Sequence, residues 1–134
     1  MSANIDKIAW LYLLDGRILG ARSKGKDMYY LPGGKREPGE SDLETLKREV
    51  KEELSVQILP GTAEHFGTFE AKAHGKSEGT IVTMSCYTGE FEGELKPASE
   101  IEEVVWLTYK DRERVSAVSQ KIFDHLYVNK KLSD

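Results

Sequence analysis

Two spacings of apolar residues divide this chain. Residues 5 to 14, IDKIAWLYLL, and 17 to 22 are apolar stretches on either side of Asp15-Gly16, a dipeptide that tolerates positive φ and so favours a tight hairpin. MYYL, residues 28 to 31, reads as a short aromatic strand that Pro32-Gly33-Gly34 stops, because proline cannot extend a ladder and the glycines permit a sharp backbone path. After a loop to about Glu40 the spacing changes. Leu43, Leu46, Val50 and Leu54 recur at helical intervals and Ser41 or Asp42 can cap the start, which predicts a helix over 42–54. Beyond the breaker Pro60-Gly61, residues 63–72 and 80–90 read as strands around the polar turn HGKSEG. A loop, FEGELKPASE, leads to another strand at 102–107. Val115, Val118, Ile122, Phe123 and Leu126 then place a second amphipathic helix over 111–128. The order ββ(β)αβββα predicts an α/β fold in which a mixed sheet is sandwiched between helices.

Composition narrows the picture. At 134 residues, with no repeat or linker, residues 1–134 are expected to form one domain around one core. A formal net charge of -4 argues against a nucleic-acid groove built on bulk charge, so no stable nucleic-acid complex is expected and any anionic ligand must be met by local groups. The single cysteine, Cys86, rules out an internal disulfide and suits a reducing compartment; its ordinary role is that of a small buried hydrophobe. The longest apolar run, IAWLYLL, is far too short to span a bilayer. The expected location is therefore the cytoplasm, with no membrane partner, and monomer and homodimer both stay open.

Residues 33–56, GGKREPGESDLETLKREVKEELSV, hold six glutamates. On a helix Glu49, Glu52 and Glu53 stand three and four positions apart, so they share an arc of about 100° beside the apolar stripe and repel one another. Such carboxylates are either solvated apart or held together by a cation, and a hard divalent ion, Mg2+ or Mn2+, is the natural neutraliser. Magnesium usually shares its site with substrate phosphates, which points toward cleavage of a phosphoanhydride. Gly33-Gly34 lets backbone approach a ligand closely, and Lys35 adds a positive charge beside it. Charge alone would equally describe a solvated Glu/Lys-rich surface helix.

The spacing decides between them. The stretch resembles the Nudix box, the signature of the Nudix hydrolase (MutT-like) superfamily, written G-x5-E-x7-R-E-U-x-E-E-x-G-U with U apolar. Gly34, Glu40, Arg48, Glu49, Val50, Glu52, Glu53 and Val56 fall on its fixed positions within residues 34–56. Composition alone would produce that coincidence with a chance on the order of one in a hundred thousand. One position departs: Ser55 stands where the pattern has a glycine, which puts the form of the helix end in question. The resemblance implies an α/β/α sandwich and makes Glu49, Glu52 and Glu53 metal ligands, with Glu53 preferred over Glu52 as the group that orders or deprotonates water. It makes Arg48 the residue that orients these carboxylates, Glu40 a support at the loop-helix junction, and the Gly33 carbonyl a further ligand.

Outside the box the resemblance implies less. Glu100 lies where MutT-like enzymes commonly supply another metal ligand or base, in competition with Glu102 and Glu103. Arg22 ends a strand where such proteins carry a phosphate-contacting arginine; an exposed hairpin charge is the alternative. His74, in the turn, reads as a loop histidine. The implied activity is Mg2+-dependent hydrolysis of a nucleoside diphosphate derivative, foremost a (modified) nucleoside triphosphate giving a monophosphate and pyrophosphate. ADP-ribose, a nucleotide sugar or a dinucleoside polyphosphate are alternative substrates, and a non-catalytic nucleotide sensor is the alternative of another class.

Overall fold

The computed structural model describes residues 4–72 and 79–134; His74 and most of the HGKSEG turn lie outside the described residues. The strands are β1 (Asn4–Trp10), β2 (Leu13–Leu14), β3 (Arg17–Ser23), β4 (Gly33–Lys35), β5 (Gln57–Ile58), β6 (Glu64–Lys72), β7 (Ile81–Thr88), β8 (Phe91–Glu92) and β9 (Ile101–Leu107). The helices are α1 (Asp42–Leu54) and α2 (Ala117–Val128). A four-stranded mixed sheet has the order β4-β1-β7-β6, with β1 parallel to β7 and the other neighbours antiparallel. A three-stranded antiparallel sheet, β2-β3-β9, stands beside it, and β5 pairs with β8.

The strand pleat sends alternate side chains to opposite faces, and β1 thereby feeds two cores. Ile8 and Trp10 join Leu46, Val50 and Leu54 of α1, while Ala9 and Leu11 join Val118, Ile122, Phe123 and Leu126 of α2. This is the expected mixed sheet between helices. The apolar run 5–14 is not one strand, however. Its parallel pairing with β7 ends at Trp10 opposite Tyr87, and after Leu11 and Tyr12 the chain crosses to the second sheet as β2. Asp15 and Gly16, at φ 53° and 78°, then form the expected tight turn into β3.

Two other expectations change. MYYL pairs only through isolated bridges, Tyr30 to Ala21 and Tyr29 to Val115, and the strand is built from Gly33–Lys35, the segment read as its stop. Residues 111–116 are not part of the second helix. A 3-10 turn occupies Tyr109–Arg114, Val115 is extended beside Tyr29, and α2 starts after Ser116. Among the described residues no helix is long and apolar enough to cross a membrane.

Candidate active site

Helix α1 is fixed at both ends before it presents any chemistry. Ser41, and not Asp42, caps it: the Ser41 hydroxyl accepts from the Glu44 amide at 3.2 Å, and the Glu44 carboxylate accepts from the Ser41 amide at 2.8 Å. Asp42 instead accepts from the Tyr87 hydroxyl at 2.6 Å and pairs with Arg36. At the other end Ser55 adopts the left-handed conformation, φ 66°, that the pattern would give to glycine. The last carbonyls of the helix accept from a loop: Lys96 N–H to Leu54 O and Ala98 N–H to Glu53 O, both at 2.9 Å. That tether, with the Lys24 N–H to Glu100 O bond at 2.8 Å, brings Glu100 to the helix.

The three helix glutamates fan from core to solvent. Glu53 is 4% exposed, Glu49 is half-buried, and the Glu52 side chain is 56% exposed. Strand β4 passes beneath the first two. Gly33, at φ 142°, donates its N–H to Glu53 Oε1 at 3.1 Å, and a Cβ there would sit 2.0 Å from the Ile8 carbonyl oxygen. A Cβ on Gly34 would lie 2.6 Å from the Glu49 carboxyl carbon. Gly33 is therefore required by close approach to backbone, whereas a side chain at Gly34 would displace the Glu49 carboxylate.

Arg48 ties this arrangement together. Its guanidinium donates two hydrogen bonds to Glu40, at 2.7 and 2.9 Å, one to Glu49 at 2.8 Å and one to the Lys35 carbonyl at 3.2 Å. Those bonds, with donors from the Glu37 amide and Thr45, hold Glu40 down at about 2. Glu53 goes the other way. Burial, reinforced by the neighbouring charges of Glu49, Glu100 and Glu52, pushes it up to about 8 against the Gly33 N–H. Burial also raises Glu49, with Arg48 opposing.

Glu49 and Glu53 border a cavity of about 910 Å³, a size that suits a small-molecule ligand. Gly33, Gly34, Lys35, Glu49, Glu53 and Glu100 line it, together with Met28, Val82, Met84 and the start of α2. Glu100 thus separates from its competitors: Glu103 is held by Arg22 and by the Tyr29 hydroxyl, and Glu102 pairs with Arg22 at 3.5 Å. Glu52, exposed on α1, does not line the cavity, and Arg22 is held away from it. Its guanidinium spans Glu102, Glu103 and the Lys26 carbonyl and does not line the cavity, because the β3–β9 register sets it opposite Glu103.

The donor set fits a hard divalent cation. It consists of carboxylate oxygens around a twin-glycine strand, and the ionised form of the buried Glu53 is what such an ion would stabilise. Among the described residues no three acidic groups already close on one point, so a cation there would rely on water for part of its shell. The reading of the sequence missed Met28, Val82, Met84 and Lys7 as cavity residues. Lys7 carried a signal, a charge inside an apolar strand; the apolar three carried none.

A mixed sheet clasped by two helices, with an acidic helix laid over twin glycines beside a ligand-sized cavity, is the frame of a hydrolase acting on phosphorus-containing acid anhydrides. The chain belongs to the NUDIX domain family, which matches it over residues 7–126. It superposes on the MutT protein from Methanosarcina mazei Go1 with a TM-score of 0.75, at 21% identity over 97% of each chain. The mutator MutT protein from Bacillus halodurans gives 0.71 at 26% identity, covering 96% of this chain and 85% of that one. The human 8-oxo-dGDP phosphatase NUDT18 is 45% identical over 42 residues, 31% of this chain and only 13% of that protein's length.

Proposed function

We propose that the protein is a Mg2+-dependent pyrophosphohydrolase that converts a nucleoside triphosphate, in particular one with a modified base, to the monophosphate and pyrophosphate. The observation that carries this reading is one cavity whose lining joins the carboxylates of Glu49, Glu53 and Glu100 and the charge of Lys35 to the apolar side chains of Met28, Val82 and Met84. A nucleotide has the same polarity, a polyanion joined to a flat, largely apolar ring. When bound, Mg2+, or Mn2+ in its place, neutralises the diphosphate and makes water more acidic. Glu49, Glu53, Glu100 and the Gly33 carbonyl would hold it, with Glu52 joining from the rim. Arg48 orients Glu49 and is itself held by Glu40. Glu53, with Oε1 occupied by the Gly33 N–H, takes the proton from the attacking water at its other oxygen. The water oxygen bonds to phosphorus as the anhydride P–O bond breaks, and pyrophosphate leaves. The relation to an 8-oxo-dGDP phosphatase supports an oxidised purine nucleotide as a substrate, with diphosphates as the second candidates.

The test is a panel of ordinary and oxidised nucleoside tri- and diphosphates, ADP-ribose, a nucleotide sugar and a dinucleoside polyphosphate. Each is incubated with Mg2+ while pyrophosphate and phosphate release are measured. Pyrophosphate from triphosphates is the expected product. Turnover undiminished in excess chelator would remove the metal from the reading, and no turnover of any member would leave a nucleotide-binding domain without catalysis.

A further inference from the structure

Two segments that line the cavity meet at an isolated bridge and not in a ladder. One is residues 28–31; the other is residues 113–120, where the 3-10 turn passes into α2, and the bridge joins Tyr29 to Val115. Every residue of the two segments lines the cavity except Arg114. Arg114 fastens them from outside. The Tyr29 N–H donates to the Arg114 carbonyl at 2.8 Å, Arg114 Nη2 donates to the Tyr29 hydroxyl at 3.0 Å, and the guanidinium carbon lies 4.4 Å from the centre of the Tyr29 ring. The hydroxyl in turn donates to Glu103 at 2.9 Å, and Arg114 also pairs with Asp111 at 3.8 Å. Tyr29 is 8% exposed and the Arg114 side chain 53%, so the arginine covers a buried ring that forms part of the cavity wall.

We infer that Arg114, acting through Tyr29, holds these two walls at a fixed separation and thereby determines which nucleotide rings the cavity accepts. The inference rests on the nucleotide reading given above and adds a positioning residue to it. Tyr29 lies four residues before Gly33, at most about 14 Å of extended chain, so the fastened seam is within reach of the ring of a nucleotide whose phosphates lie at the carboxylates. Walls pinned at one width select rings by shape; walls free to part admit more rings and order each of them less well. The carboxylate helix does not depend on this seam, because Gly33, Arg48 and Glu40 fix it separately. Loss of Arg114 therefore acts on ring discrimination and on KM, and leaves kcat in place.

The experiment compares the full chain with Arg114→Met, Tyr29→Phe, the double variant and Arg112→Met. Arg112 belongs to the same 3-10 turn but is held by Asp124, at 2.7 and 3.0 Å, and does not line the cavity, so it controls for damage to the turn. Steady-state constants are measured with Mg2+ on purine and pyrimidine nucleoside triphosphates, ordinary and oxidised. Arg114→Met and Tyr29→Phe should each raise KM for the best triphosphate about three- to tenfold, the scale of one hydrogen bond, with kcat within about twofold. The ratio of kcat/KM between the best and the poorest ring should shrink by a similar factor. The double variant should be little worse than Tyr29→Phe alone, since both changes remove one contact, and Arg112→Met should leave the ratio unchanged. An undiminished ratio in Arg114→Met, a kcat that falls as far as KM rises, or an equal effect in Arg112→Met overturns the latch alone, as does a parent that treats every ring alike. A parent that turns over no nucleotide overturns the proposed function and the latch with it.

Discussion

Glu53 meets two opposed demands: the chemistry wants a carboxylate, and the core in which it sits does not. In metal-free protein its folded value of about 8 lies above the ordinary 4.5, so the folded state holds the proton more tightly than the unfolded one. Its contribution to stability is complete below about pH 4.5 and is lost as pH rises through about 8. In chelator, Glu53→Gln should therefore be more stable than the parent at pH 8.5 and little different at pH 4, as urea midpoints at the two pH values will show. The same variant should lose about 10²-fold or more in kcat. Glu44→Gln, which keeps the helix cap because glutamine can serve there, is the control, and equal losses in the two would reduce the effect to helix damage. The glutamates were legible in the sequence because their relation is local: i, i+3 and i+4 on one helix need no tertiary knowledge. Arg22 was not, because its partner Glu103 lies 81 residues away and only strand register brings them together. Arg22→Ala is accordingly expected to lower the melting temperature and to leave KM and kcat for a triphosphate unchanged. A selective rise in KM would return the side chain to substrate binding.

At the scale of elements, α1 shows what a sequence specifies when every local cue agrees. The apolar stripe, Ser41 and Glu44 fix its start, and the observed span of Asp42–Leu54 is the one expected. Its end is less comfortable, for Ser55 holds a conformation that costs an L-residue about 1 kcal/mol. Ser55→Gly should raise stability by about 0.5 to 1 kcal/mol, or a few degrees in melting temperature, with kcat unchanged. A fall in stability would show that the Ser55 hydroxyl bond to the Lys96 carbonyl, at 3.3 Å, outweighs the strain. Strand β4 was hidden for the opposite reason. Gly33 and Gly34 have no propensity for a strand, and they form one because Ile8 and Ala9 of β1 supply the ladder. The start of α2 was misplaced because Val115 obeys the helical period yet is drawn into a bridge with Tyr29.

For the whole molecule, the sheet separates two cores, and the cavity opens where α1's carboxylates meet the α2 side of that sheet. A cation bound there but not to the unfolded chain must stabilise the fold, by about 2.7 kcal/mol at a hundredfold excess over its dissociation constant. Saturating Mg2+ should thus raise the melting temperature of the parent and have much less effect on Glu53→Gln. An equal rise in both would place the ion elsewhere. The helix order and the acidic lining of the cavity were legible because they follow from spacing; the apolar lining was not, because Met28, Val82 and Met84 converge from separate segments through topology alone. That division has a practical side for anyone who would retarget the protein. A saturation library at Gly33 should yield almost only inactive clones, since any β-carbon there collides with the Ile8 carbonyl, and one at Gly34 should cost activity by pushing the Glu49 carboxylate aside. A library at Met28, which is 46% exposed, meets no such backbone, so altered ligand preference should be selectable there, whereas Met84 is buried in the core and accepts only residues of similar volume.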